Sequence, residues 1–291
     1  MRTVNFPIRT LVFSGGGLDG FAQLGALEAL SVVTPLSKVE SCLGSSSGAI
    51  VALLFEIFHG DVGLIDAALH AAPWKAFIRP STSLLTGVWR LMTRFGYYPT
   101  HQIDRWLREM IYMACGQRSI TFQQLNVFTK QKLVIMGMNV TKGETESFDV
   151  WSTPSMDVVT AVRISLSFPL LFEAQRYQSD WYSDGGILDN YPIEWNDYSE
   201  THRRQTLGLL LETPRPTCKI RYVWDFFEVI ARLVHYNVYR RHLSDESWDH
   251  TICIQLTRSF AYNFSITSGE IAQLKDDGRR AVECWLATHD L

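Results

Sequence analysis

The chain has 291 residues, 46% of them hydrophobic, enough to bury the core of one large domain or of two small ones. A formal net charge of −3 gives no reason to expect nucleic acid as a partner, which would call for a basic domain with clustered Lys and Arg. The cysteines, Cys42, Cys115, Cys218, Cys253 and Cys284, are scattered and form neither a CxxC pair nor a His/Cys ligand spacing. Reduced structural thiols are expected, with no metal and no cofactor.

The opening MRTVNFPIRTLVFSGGG is apolar over too short a stretch for a signal peptide, and no run reaches the ~20 apolar residues of a membrane span. A cytoplasmic protein able to act peripherally at a membrane is expected. Thr10–Ser14 is apolar and β-prone, Gly15–Gly17 interrupts it, and Phe21–Leu30 places apolar residues at helical spacing. Val39–Leu43 predicts a second strand, Gly44–Gly48 a turn, and Ser47–Phe58 a helix apolar on most faces. Two such strand–turn–helix units in succession imply a parallel sheet with crossover helices.

Asp61–Met113 reads as helical, broken near Pro73, Pro80 and Pro99 and without strand signal, an inserted helical layer. Lys132–Val140 and Thr145–Trp151 read as strands around a turn at Thr141–Glu144, and Met156–Ser165 as a short helix. Glu173–Tyr177 and Trp181–Ser183 flank a turn at Gln178–Asp180. A strand at Thr206–Leu211, a helix at Tyr222–His242, a strand at Thr251–Gln255 and a helix at Ser268–Ala287 complete the pattern. With no repeat, low-complexity tract or linker, 1–291 is expected to be a single α/β domain.

Gly44–Gly48 reads GSSSG, a Gly-x-Ser-x-Gly between a strand and a helix. A sharp turn there admits only small neighbours and holds the Ser46 hydroxyl out as a nucleophile, with Ser45 and Ser47 as flanking decoys. The bland alternative is a glycine–serine turn. One unit upstream, GGGLDG at Gly15–Gly20 lets main-chain N–H groups converge at a helix N-terminus, where developing negative charge would be stabilised. Gly15, Gly17 and Gly20 also satisfy the dinucleotide pattern G-x-G-x-x-G. That reading wants an acid at the end of the second strand, whereas Glu40 lies at its start. In WYSDGGILDNYPI, Asp184 precedes Gly185 and Gly186 on a tight loop at a strand end, as a catalytic group or as a β-turn Asp capping its own backbone, with Asn190 and Pro192 shortly after.

The succession GGGLDG, GSSSG, RISLSFPLLF at Arg163–Phe172 and DGGILDNYP resembles the patatin-like phospholipase family, over a motif-bearing core of about 10–195. The resemblance implies a three-layer α/β/α sandwich with a mainly parallel central sheet. It also implies a lipid acyl hydrolase of the phospholipase A or lysophospholipase type, acting on a lipid substrate at a membrane surface through a Ser-Asp dyad. By position, Ser46 is the nucleophile, Asp184 the general base and the main chain of Gly15, Gly16 and Gly17 the oxyanion hole, with Gly20, Gly44, Gly48, Gly185 and Gly186 completing the motifs. Asp19 stands where the family often has Lys or Arg. Capping of the following helix is its expected role, as structural pairing is for Arg163.

Ser81–Tyr98 is amphipathic and bears Trp89, which suits either a bilayer interface over an acyl pocket or an ordinary core-packing helix. Arg203–Arg241 has a local excess of cations that would favour anionic lipid. The alternative enzyme is an α/β-hydrolase whose Ser-His-Asp triad would use His235, His250 or His289, none in a persuasive loop. A catalytically weak lipid-binding protein on the same fold is the alternative of another class.

Overall fold

Apolar residues at consecutive strand positions set the architecture, because a sheet covered on both faces has no polar side. A computed structural model describes residues 6–79, 84–196, 203–213, 220–221, 226, 229 and 243–289. β1 (Thr10–Phe13) leads through a 3-10 turn (Gly17–Gly20) to α1 (Phe21–Val33), and β2 (Ser41–Gly44) leads to α2 (Ser47–Ile57). Next come α3 (Val62–Ala71), α4 (Trp74–Phe77), α5 (Leu84–Arg94), β3 (Gly96–Tyr98), α6 (His101–Cys115) and α7 (Phe122–Thr129). The hairpin β4 (Lys132–Asn139) and β5 (Glu144–Phe148) precedes α8 (Val158–Ser165), β6 (Leu170–Phe172), β7 (Gln175–Tyr177) and β8 (Asp180–Asp184). Then follow β9 (Thr206–Glu212), α9 (Asp245–Asp249), β10 (Thr251–Gln255) and α10 (Ser268–Thr288).

The fold is mixed α/β with a mainly parallel central sheet in the order β10-β9-β1-β2-β4-β8-β7, β5 pairing with β4. The pairs from β10 to β4 are parallel, and β8 runs antiparallel to β4. Strand alternation divides the core. Leu11, Phe13, Cys42, Leu133, Ile135, Leu209 and Ile252 join the large cluster containing the buried residues of α1, α2 and α10. Val12, Leu43, Val134, Met136 and Leu210 point to the other face, under Tyr191, Ile193 and Trp248. Parallel pairing puts the C-terminal ends of β1 and β2 side by side, Phe13 opposite Gly44, so the two following turns meet at one edge.

One element corrects the sequence reading. Within the all-helical stretch predicted for Asp61–Met113, Gly96–Tyr98 forms β3, which pairs in parallel with β6 in the register Gly96↔Leu170 and Tyr98↔Phe172. Its strand character comes from a partner more than seventy residues away, which local periodicity does not report. The helix predicted at Tyr222–His242 lies outside the described residues except for Phe226 and Val229, both helical.

Candidate active site

Between β2 and α2 the chain turns so sharply that Ser46 adopts φ 51°, ψ −125°, a conformation non-glycine residues avoid at a cost of roughly 1–3 kcal/mol. Close backbone approach on both sides permits the turn. A Cβ on Gly48 would lie 2.3 Å from Phe13 O, and one on Gly44 2.3 Å from Gly48 O. The Ser46 N–H donates to Ser165 Oγ at 2.8 Å, which pins the turn to the end of α8. Held this way, Ser46 Oγ donates to Asp184 Oδ2 at 2.7 Å across 138 positions of sequence.

Asp184 ends β8 and is 1% exposed. Its N–H donates to Ser167 O, and its Oδ1 accepts from Gly186 N–H at 2.7 Å, so the glycines after it orient the carboxyl group. Burial pushes its pKa up from 3.8 to about 7, against the lowering effect of the hydrogen bonds from Ser46 and Gly186. At neutral pH the carboxyl group is therefore poised between its two states, where a general base exchanges protons most effectively.

The glycine loop lies against the same turn. Gly17 needs to be glycine twice over: its φ is +59°, and a Cβ would fall 2.2 Å from Ala261 O. Of the three loop amides expected to face developing charge, two already have acceptors. Gly15 N–H donates to Asn190 O at 3.0 Å and Gly16 N–H to Ser47 Oγ at 3.0 Å. The Gly17 and Ser47 N–H groups have no acceptor among the described residues. Ser47 opens α2, whose N-terminal amides and dipole favour negative charge there.

Asp19 lies in the 3-10 turn just before Gly20, the N-cap of α1. Fully buried, its carboxylate accepts from Ser259 Oγ and Phe260 N–H, both at 2.6 Å, while Leu18 N–H donates to Ala261 O. The acid therefore ties the glycine loop to the loop before α10. Arg163 has the structural role expected, joining Thr100 Oγ1, Gln175 Oε1 and Asp104 Oδ1.

Ser46, Asp184 and Gly15, Gly16, Gly17 and Gly20 line one pocket that opens to solvent at its mouth. Its other walls are largely apolar, among them Leu69, Trp74, Phe77, Leu171, Phe172 and Phe264, and among the described residues Asp184 is its one carboxylate and no histidine lines it. His250 precedes β10 against Phe6, His289 stacks on Trp285, and His235 lies outside the described residues. Glu40 pairs with Arg9 at the entrance to β2, away from the position a dinucleotide ribose would require. Sequence reasoning missed Ser165, although it sits inside the RISLSFPLLF block. It also gave no role to Asn190, whose Nδ2 donates to Gly15 O while its carbonyl accepts from Gly15 N–H.

The model of the family described as patatin-like phospholipase matches residues 11–195, the span carrying both glycine motifs, Ser165 and Asp184. The chain belongs to the patatin-like phospholipase family. This patatin-like chain is 28% identical over 194 residues to "Probable lipid hydrolase 463L" of Invertebrate iridescent virus 6, covering 64% of itself and 62% of that protein. To uncharacterized protein R571 of Acanthamoeba polyphaga mimivirus it is 26% identical over 276 residues, covering 90% and 89%. Its patatin-like fold is similar to that of VipD from Legionella pneumophila, with a TM-score of 0.66 and 17% identity, covering 98% of this chain and 67% of that one. ExoU in the ExoU–SpcU complex of Pseudomonas aeruginosa gives 0.53 and 20%, with 97% and 52% covered. Membership of the patatin-like family makes a hydrolase acting on lipid esters the coarse description of the protein.

Proposed function

We propose that the protein cleaves carboxylic ester bonds of phospholipids or lysophospholipids through Ser46 and Asp184, on substrate presented at a membrane surface. The observation that carries this reading is the 2.7 Å hydrogen bond from Ser46 Oγ to a buried Asp184 in an apolar pocket. As Oγ attacks the ester carbonyl carbon, its proton passes to Asp184 Oδ2 and the carbonyl oxygen gathers negative charge. Gly17 and Ser47 N–H are the free donors for that charge. An oxyanion donor typically contributes ~10²–10³ in rate. Collapse expels the alcohol, which takes the proton from Asp184 and leaves an acyl-Ser46 ester. Water then attacks that ester as Asp184 takes its proton, and the acyl–Oγ bond breaks with the proton returning to Ser46 Oγ, which frees the fatty acid. The acyl chain occupies the apolar walls, where its burial contributes ~0.8 kcal/mol per methylene.

Fatty-acid release from phospholipid vesicles by wild type, Ser46→Ala and Asp184→Asn tests the assignment. Both variants are expected to lose at least ~10³ in kcat/KM, as removal of a nucleophile or its base does. Equal activity in all three would overturn it. Labelling by a fluorophosphonate reports on the nucleophile separately, and a modified peptide without Ser46 would refute its role.

A further inference from the structure

α5 is built inside out. Its inward side holds Gly87, whose missing Cβ leaves room for the Tyr97 ring, and Arg90, whose guanidinium meets Glu173 Oε2 at 2.9 Å. Its outward side holds Leu85, Val88, Trp89 and Met92, 79%, 47%, 59% and 74% exposed, with Phe95 just beyond its end at 53%. These residues recur at i, i+3, i+4, i+7 and i+10, the spacing of one helix face, but the face looks away from the core. Trp181 stands edge-on to Phe95 at 5.4 Å and widens the patch. A contiguous exposed apolar surface of this kind marks an interaction site.

Charge selects the occupant. From Trp74 to Tyr98 the chain carries no acid, and with Arg90 paired to Glu173 its other cations are Lys75, Arg79 and Arg94. Arg94 and Arg176 are exposed beside the patch, with the Arg176 guanidinium 5.8 Å from the centre of the Trp181 ring. Apolar and tryptophan side chains rimmed by cations suit an anionic lipid–water interface, where the rings enter the acyl boundary and the cations meet phosphates. Elements that flank the patch also reach the pocket. Phe77, before α5, and Phe172, in the strand paired with β3, are both pocket walls.

We propose that the outward face of α5, with Phe95 and Trp181, docks the protein on an anionic lipid surface and sets the pocket rim against the bilayer. The proposal rests on the reading of the substrate as a lipid, yet docking is measurable without catalysis. Co-sedimentation would use Ser46→Ala protein, so that the vesicles stay intact, with phosphatidylcholine vesicles containing or lacking phosphatidylglycerol. Trp89→Gln with Met92→Gln is expected to lower partitioning onto the anionic vesicles at least ten-fold. Arg94→Glu is expected to lower the preference for anionic over neutral vesicles several-fold. In a Ser46-containing background, the same surface changes should leave hydrolysis of a soluble short-chain ester within about two-fold of wild type, which also verifies folding. Unchanged partitioning of the double variant would overturn the proposal. So would a dimer that the double variant dissociates, since the face would then belong to a second copy. Vesicle binding by a protein inactive on every ester would leave docking intact and refute the catalytic reading instead.

Discussion

Titration of Asp184 links the activity and the stability of this protein to one carboxyl group. The rise from 3.8 to about 7 on burial, at ~1.4 kcal/mol per pH unit, makes ionisation in the folded chain about 4 kcal/mol harder than in the unfolded chain. Because the folded pKa is raised, the stability it represents is complete below pH 3.8. It is lost progressively as pH rises through about 7. In the proposed mechanism activity runs the other way, since there only the ionised carboxylate accepts the Ser46 proton. On soluble short-chain esters, kcat/KM should fall about ten-fold per pH unit below 7, roughly 100-fold from the alkaline plateau to pH 5. Asp184→Asn keeps an acceptor for Gly186 N–H and removes the charge. In urea unfolding it should exceed wild type by up to about 4 kcal/mol at pH 9 and match it at pH 4. A kcat/KM flat from pH 5 to 8, or an Asn variant no more stable at pH 9, would refute the claim that desolvation dominates at this site.

Asp19→Ala strips the acceptor from Ser259 Oγ and Phe260 N–H in a buried place. It should cost about 2–4 kcal/mol in urea unfolding and at least ten-fold in ester hydrolysis, because Gly17 loses its buttress. Glu56 is fully buried on α2, with neither carboxylate oxygen in a hydrogen bond of ordinary geometry among the described residues, and burial holds its pKa well above 4.5 against the lowering effect of the Cys42 backbone. The stability that this raised pKa represents is complete below pH 4.5 and lost as pH rises through the raised folded value, so Glu56→Gln should stabilise the protein at pH 8 and change little at pH 4. His250→Ala and His289→Ala should keep ester hydrolysis within about two-fold, and a hundred-fold loss from either would revive a histidine-based triad.

Local chemistry made the central features of the fold legible. Short β-prone stretches rich in apolar residues identified β1, β2 and β9 as strands. Glycines packed around Ser46 identified a turn too tight for larger neighbours, and the succession of strand, loop and helix implied parallel pairing. Ser46 and Asp184 could be nominated because each lies in a motif whose residue types have a local steric reason.

What joins them is not local. The 2.7 Å approach of Ser46 to Asp184 depends on β8 lying antiparallel beside β4, which no short-range spacing encodes. The same holds for the donors that remain free. Gly15 and Gly16 look equivalent to Gly17 in the sequence, but Asn190 and Ser47 take their amides. Asp19 sits where an acid suits a helix N-terminus, and nothing in its surroundings in the sequence announces the donors that a loop 240 residues away supplies to it. The periodicity of α5 announced an apolar face without saying which way it looks, because a helical stripe is the same whether core or lipid covers it. The sequence by itself determined which segments turn, extend or coil and which residues can do chemistry. Only the tertiary structure decided their partners, because burial and hydrogen-bond satisfaction are settled among groups far apart along the chain.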